Sequence, residues 1–341
     1  MTEAQRVGQL FMVGLSEDDK LDGATTTAIR ASHFGSVSFI ATTTAGVDAV
    51  RTVTDAVQAL ATDPATAGAG FFVAANQEGG LIQALQGSGF ARIPSAADQG
   101  KLDPSVLEAD AAQWGGDLMA AGVNFDLAPV MDVVPPGADD QNEPIGVLHR
   151  GYGNDPETVA LHGVAFLNGM QQAGVATSAK HYPGLGRVAG NTDFTADVVD
   201  DVTTPDDPYL GSFQAGIDAG VPFVMVALAT YTKIDPDHLA VFSPTVMGIL
   251  RDSMGFTGVI VSDDIGNAEA IADIPPGTRA IDYLESGGDL IISKTVPPAV
   301  TMADAVSARA DADAGFRSRV DDAALRILQV KQAYGLLPCG D

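Results

Sequence analysis

Eight short apolar runs punctuate the chain: Leu10 to Leu15, Ser36 to Ile40, Phe71 to Ala75, Phe125 to Val130, Ala176 to Lys180, Phe223 to Ala227, Val259 to Ser262 and Asp289 to Ser293. They are nearly continuous rather than alternating, the pattern of strands buried on both faces. Between most of them lie stretches with helical spacing: Asp48 to Ala61, Pro104 to Ala121, Pro156 to Ala173, Pro244 to Met254 and Asn267 to Gly287. Strand then helix, repeated eight times, predicts an α/β fold of one parallel (β/α)8 barrel. A doubly wound open sheet is the rival architecture.

The punctuation agrees with this reading. Asn154-Asp155-Pro156 and Ser243-Pro244 place a capping side chain before a first-turn proline, and Gly122, Gly174, Gly220 and Gly255 stand where helices should stop. Phe316 to Tyr334 reads as a closing helix, and no low-complexity linker or charge run divides the chain, so residues 1–341 are expected to form one domain. In such a barrel, chemistry sits at the carboxyl ends of the strands. There the sequence offers Asn76-Gln77-Glu78, Asp132, Lys180-His181, Asp263-Asp264 and Lys294, with the less informative Thr230-Tyr231 after the sixth run.

Charge narrows the partners. The 341 residues carry 18 Lys+Arg against 44 Asp+Glu, a formal net charge of −26. Such a surface repels phosphate backbones and anionic lipid headgroups, so nucleic-acid and membrane-surface binding are disfavoured. The single cysteine, Cys339, excludes an intrachain disulfide and a multi-cysteine metal site. Neither a membrane-spanning run nor a signal-peptide pattern is present, so a soluble protein is expected, cytoplasmic or, had a signal segment been removed, of the cell envelope or exterior.

The candidate chemistry is carboxylate chemistry. A carboxylate at the Ser262-Asp263-Asp264 lip suits a nucleophile or base, although either aspartate also suits capping of the following helix. Lys180-His181-Tyr182-Pro183-Gly184-Leu185-Gly186 opens a polar loop of about 20 residues, a length usually tied to function. Its glycines lack dinucleotide spacing. Lys180 reads either as a buried ion-pair partner or as a substrate donor, and His181 as a ligand contact or a core histidine. Glu78 is expected to pair with a cation in the mouth, leaving the Asn76 amide to a ligand, while Arg150 is either solvated or a forked donor to a sugar hydroxyl. His33, His149, His162, His181 and His238 show no metal-ligand spacing, and no serine nucleophile elbow occurs. Carboxylates, an amide, a lysine and an arginine around one mouth suit a neutral polyhydroxyl substrate.

These residues resemble glycoside hydrolase family 3, specifically its single-barrel β-N-acetylhexosaminidases, over almost the whole chain. Val7-Gly8-Gln9-Leu10-Phe11-Met12-Val13-Gly14 resembles the family's opening, Asn76-Gln77-Glu78-Gly79-Gly80 its DQEGG segment, and Asn124 to Val133 its NFDLAPVLDV strand. Arg150-Gly151-Tyr152-Gly153 resembles RSFG, and Lys180-His181-Tyr182-Pro183-Gly184 resembles KHFPG. Ile234-Asp235-Pro236 with Phe242-Ser243-Pro244 follows, and Gly255 to Asp264 is similar to GFDGVVISDD. The resemblance implies that Asp263 is the nucleophile of a retaining double displacement, that Asn76, Arg150, Lys180 and His181 bind the sugar, and that the loop after the fifth strand supplies the acid/base.

The sequence departs from the family at the mouth. Asn191-Thr192-Asp193 replaces the D-S-H of the acid/base loop, Leu185 replaces a histidine, Asn76 replaces the aspartate opening DQEGG, and Leu81 and Ala84 replace arginines. Asp193 is therefore expected to take over as acid/base, with Asp197, Asp200 or Asp201 as substitutes. With no second domain in the chain, the acid is expected from the barrel's own loops. The implied function is release of terminal N-acetylglucosamine from cell-wall-type glycans by a monomer without a cofactor. A family 3 β-glucosidase and a catalytically weak glycan-binding relative are the alternatives.

Overall fold

A computed structural model describes residues 1–16 and 20–338, and Cys339 lies outside them. The eight expected strands are present: β1 (Phe11–Gly14), β2 (Ser36–Ser38), β3 (Phe72–Ala75), β4 (Phe125–Asp126), β5 (Ala176–Tyr182), β6 (Phe223–Val226), β7 (Val259–Asp264) and β8 (Leu290–Ser293). Each pairs in parallel with its sequence neighbours. Pairing of Phe11 with Ile291 closes β1 onto β8, so the sheet is a closed barrel, not an open one.

Local chemistry explains the boundaries. Asp155 accepts a hydrogen bond from Thr158 N at 2.9 Å before the helix Pro156–Gln172, and Ser243 accepts one from Val246 N at 3.1 Å before Pro244–Gly248. Gly122, Gly174, Gly220 and Gly255 all have positive φ at helix ends, a conformation that side chains resist. The fourth run yields only two strand residues because Pro129 has no N–H for the ladder; Val130 returns as an isolated bridge to Lys180. Two predicted helices are shorter than their patterns. Pro244 to Met254 turns into a π-helical segment at Ile249–Ser253. In Asn267 to Gly287 the regular helix is Pro276–Glu285, since Pro275 and Pro276 bar α conformation before them. The structure adds helices Gly23–Ser32 and Val296–Ala312, whose apolar spacing is weak because small or β-branched residues dominate their faces.

The floor of the barrel is apolar. Phe125 stacks on Phe223 with ring centroids 4.3 Å apart, and Phe72 meets Phe223 edge-on at 5.4 Å. The closing helix Ala314–Ala333 lies beneath, and its buried Lys331 donates to Gln9 Oε1 at 2.7 Å and Gly35 O at 2.8 Å. Burial pulls the Lys331 ammonium down to about 7. The unfolded chain keeps that proton to about pH 10.4, so between pH 7 and 10 it binds more protons than the folded chain and this contribution to stability rises with pH. Melting temperatures are therefore expected to diverge in favour of wild type over Lys331→Met as pH rises from 7 to 9. A difference independent of pH would show that Lys331 does not titrate there.

Candidate active site

A cavity of about 310 Å³ opens at the carboxyl ends of the strands, and Asn76, Arg150, Lys180, His181, Asp193 and Asp263 all line it. Six residues spread over 188 positions of sequence thus meet at one mouth, because parallel strands deliver their carboxyl ends to one face.

Glu78 organises one wall. It is buried, with Lys180 Nζ 2.6 Å from Oε1 and the Arg150 guanidinium gripping both oxygens at 2.8 Å. Burial alone would raise its pKa, but the two cations outweigh that cost and hold it at about 2. The expected cation pairing of Glu78 is therefore double. Arg150 is not a solvated arginine: its fork is turned inward onto Glu78, and Nη1 donates to Pro144 O at 2.8 Å. Lys180 is ion-paired, and it also lines the cavity and donates to Asn76 Oδ1 at 2.8 Å. The Asn76 amide nitrogen has no partner among the described residues.

Asp132, in the segment that follows β4 and the Val130 bridge, sets the histidine. Its Oδ2 lies 2.8 Å from His181 Nδ1, and its oxygens also accept from the backbone N–H groups of His181 and Leu185. A carboxylate at Nδ1 assigns the proton there and leaves Nε2 as the acceptor, 3.4 Å from Arg150 Nη2. The position of Asp132 at a strand end marked it as a candidate, but its role depends on a partner 49 residues away.

Asp263 and Asp264 have different surroundings. Asp264 is buried, and its Oδ1 accepts from the N–H groups of Gly266, Asn267 and Lys294 at 3.0 to 3.2 Å, so it caps the turn after β7. Burial pushes its pKa up, with Lys294 opposing. Asp263 is half-buried, faces the cavity and, among the described residues, accepts only from Asp264 N, at 2.8 Å.

The loop after β5 reaches across to β7 and β8. Glu269 N donates to Asp193 O and Ala270 N to Thr192 O, while Lys294 Nζ sits 3.0 Å from Asp193 Oδ1. Burial would lower the Lys294 pKa, but the carboxylates of Asp193, Asp263 and Asp264 raise it. Sequence placed Lys294 at a strand end without a role; its partner is 101 residues distant. Of the loop's candidate carboxylates, Asp193 lines the cavity and Asp197, Asp200 and Asp201 do not. Asp200 is buried and occupied, accepting from Val202 N, Thr203 N and Thr203 Oγ1. That turn corrects its place as a substitute acid.

The family model described as "Glycosyl hydrolase family 3 N terminal domain" matches residues 2–330. The chain belongs to glycoside hydrolase family 3. A crystal structure described as a β-N-acetylhexosaminidase from Beutenbergia cavernae is 50% identical with a TM-score of 0.95, covering 97% of this chain and 99% of that one. The beta-hexosaminidase of Alkalilimnicola ehrlichii is 31% identical over 307 residues, 85% of this chain and 82% of that protein. That of Stenotrophomonas maltophilia strain R551-3 is 32% identical over 231 residues, a match spanning 64% of this chain and 66% of that protein, just under two thirds of its length.

Proposed function

We propose that this family 3 barrel is a retaining β-N-acetylhexosaminidase that releases terminal N-acetylglucosamine. The observation that carries the reading is the half-buried Asp263 carboxylate opposite the Asn76, Lys180, His181 and Arg150 wall in one cavity. Asp263 attacks the anomeric carbon while the bond to the leaving oxygen breaks and Asp193 gives that oxygen a proton. Water then attacks the glycosyl-enzyme ester, Asp193 takes the water's proton, and Asp263 is released, with net retention of configuration. Before the first step Asp193 has to part from the Lys294 ammonium and take up a proton.

Aryl β-N-acetylglucosaminides and β-glucosides, each with one activated and one poor leaving group, test the reading. Preference for the N-acetylated sugars is expected, and preference for the glucosides would assign the β-glucosidase alternative. Asp193→Asn is expected to lower turnover of the poor leaving group by about 10²- to 10⁴-fold. The activated substrate, which needs little protonation, should lose far less. Equal rates for wild type and variant on the poor leaving group would remove Asp193 from the acid role.

A further inference from the structure

We propose that the outer, aglycone side of this cavity is a subsite for a neutral sugar, with Phe194 as its platform, and that it selects against anionic aglycones such as the lactyl-bearing muramic acid of cell-wall fragments. The proposal rests on the hexosaminidase reading and narrows its substrate. Three loops on the carboxyl face each bring an apolar side chain to the cavity: Ile82 after β3, Leu148 after β4 and Phe194 after β5. Phe194 directly follows Asp193, and its ring is 80% exposed. Its place beside the proton donor puts this ring on the aglycone side, because the donor must meet the glycosidic oxygen and the aglycone lies just beyond that atom. The C–H face of a pyranose matches an aromatic ring in size and polarity.

Charge decides which sugar. The cations lining the cavity are Arg150, Lys180 and Lys294; the first two hold Glu78, and Lys294 keeps Asp264 Oδ2 at 3.8 Å, with the charge of Asp263 also acting on it, once Asp193 has parted from it to take up its proton. Once Asp193 carries its proton, Asp263 is the lining carboxylate open to the cavity, with Asp264 buried beside it, within a chain of net charge −26. An anionic aglycone would meet like charge at the mouth and find its possible counter-ions occupied, a penalty that steers binding toward neutral partners.

The test compares kcat/KM for N,N′-diacetylchitobiose with that for the disaccharide of N-acetylglucosamine on N-acetylmuramic acid, at low and high salt. Wild type is expected to favour the neutral disaccharide by about tenfold or more, with the ratio shrinking as salt screens the charges. Phe194→Ala is expected to lower the ratio of kcat/KM for the neutral disaccharide to that for β-N-acetylglucosaminyl fluoride by about tenfold, equivalent to ~1.4 kcal/mol. Phe194→Trp should restore that ratio and Phe194→Leu should not, a pattern that a purely structural role of the loop would not produce. Equal or better turnover of the muramic acid disaccharide, or a ratio unmoved in Phe194→Ala, overturns the proposal. Failure of wild type to hydrolyse even an activated aryl β-N-acetylglucosaminide overturns the hexosaminidase reading, and the aglycone assignment falls with it.

Discussion

Asp263→Asn is expected to reduce kcat/KM on aryl β-N-acetylglucosaminides by about 10⁴-fold or more while leaving the melting temperature within a few degrees of wild type. The size follows from removing a nucleophile, which leaves only binding and electrostatic contributions to rate. The stability expectation follows from position: Asp263 is half-buried, and the hydrogen bond it accepts from Asp264 N at 2.8 Å is kept by the asparagine oxygen. Asp264→Ala should behave in the opposite sense. It strands three backbone N–H donors that Oδ1 now accepts, and leaving such groups unsatisfied costs about 1–3 kcal/mol each when they are buried. Steady-state kinetics and thermal melts on the two variants separate chemistry from capping. Wild-type turnover by Asp263→Asn would place the nucleophile elsewhere.

Glu78→Gln is expected to be the most destabilising single change in the site, by about 3–5 kcal/mol, because it leaves the buried Lys180 and the largely covered Arg150 without their carboxylate. Against a typical total of about 5–15 kcal/mol, that loss is large. Lys180 and Arg150 would repel one another across the amide, and the wall they form with Asn76 and His181 would lose its shape, so activity should fall as well. Denaturant midpoints at neutral pH measure the effect. The pH dependence carries its own sign. The folded carboxyl is held at about 2, below its unfolded value near 4.3, so this stabilisation is complete above about pH 4.3 and is lost as pH falls through 2. The stability gap between wild type and Glu78→Gln should therefore narrow on acidification. A gap unchanged down to pH 2 would mean that ion pairing is not its source.

The barrel was legible in the chain because burying a strand on both faces demands an almost unbroken apolar run, and eight such runs alternate with helical spacing. Where the pattern overran, a local rule intervened: Pro129 removes a ladder donor and ends β4 after two residues, and Pro275-Pro276 delays the helix after β7. The cavity's polar residues were legible for a related reason. In this fold a polar residue just past an apolar run has one face of the barrel to occupy, so Asn76, Lys180, His181 and Asp263 could be assigned to one mouth before any distance was known.

What each of those residues does there was decided only by the folded chain. Adjacent strand residues point to opposite sides, so Asp263 and Asp264 read alike in sequence but separate into a cavity-facing carboxylate and a buried cap. Pairing follows spatial rather than sequence neighbours. Glu78 and Arg150 are 72 residues apart, Asp132 and His181 49, and Asp193 and Lys294 101. Sequence determined the barrel, the face that holds the chemistry and the kinds of side chain gathered there. Tertiary structure decided which charges neutralise one another and which carboxylate stays open to the cavity, because an ion pair forms over about 3 Å of space and closure of the barrel sets which side chains come that close.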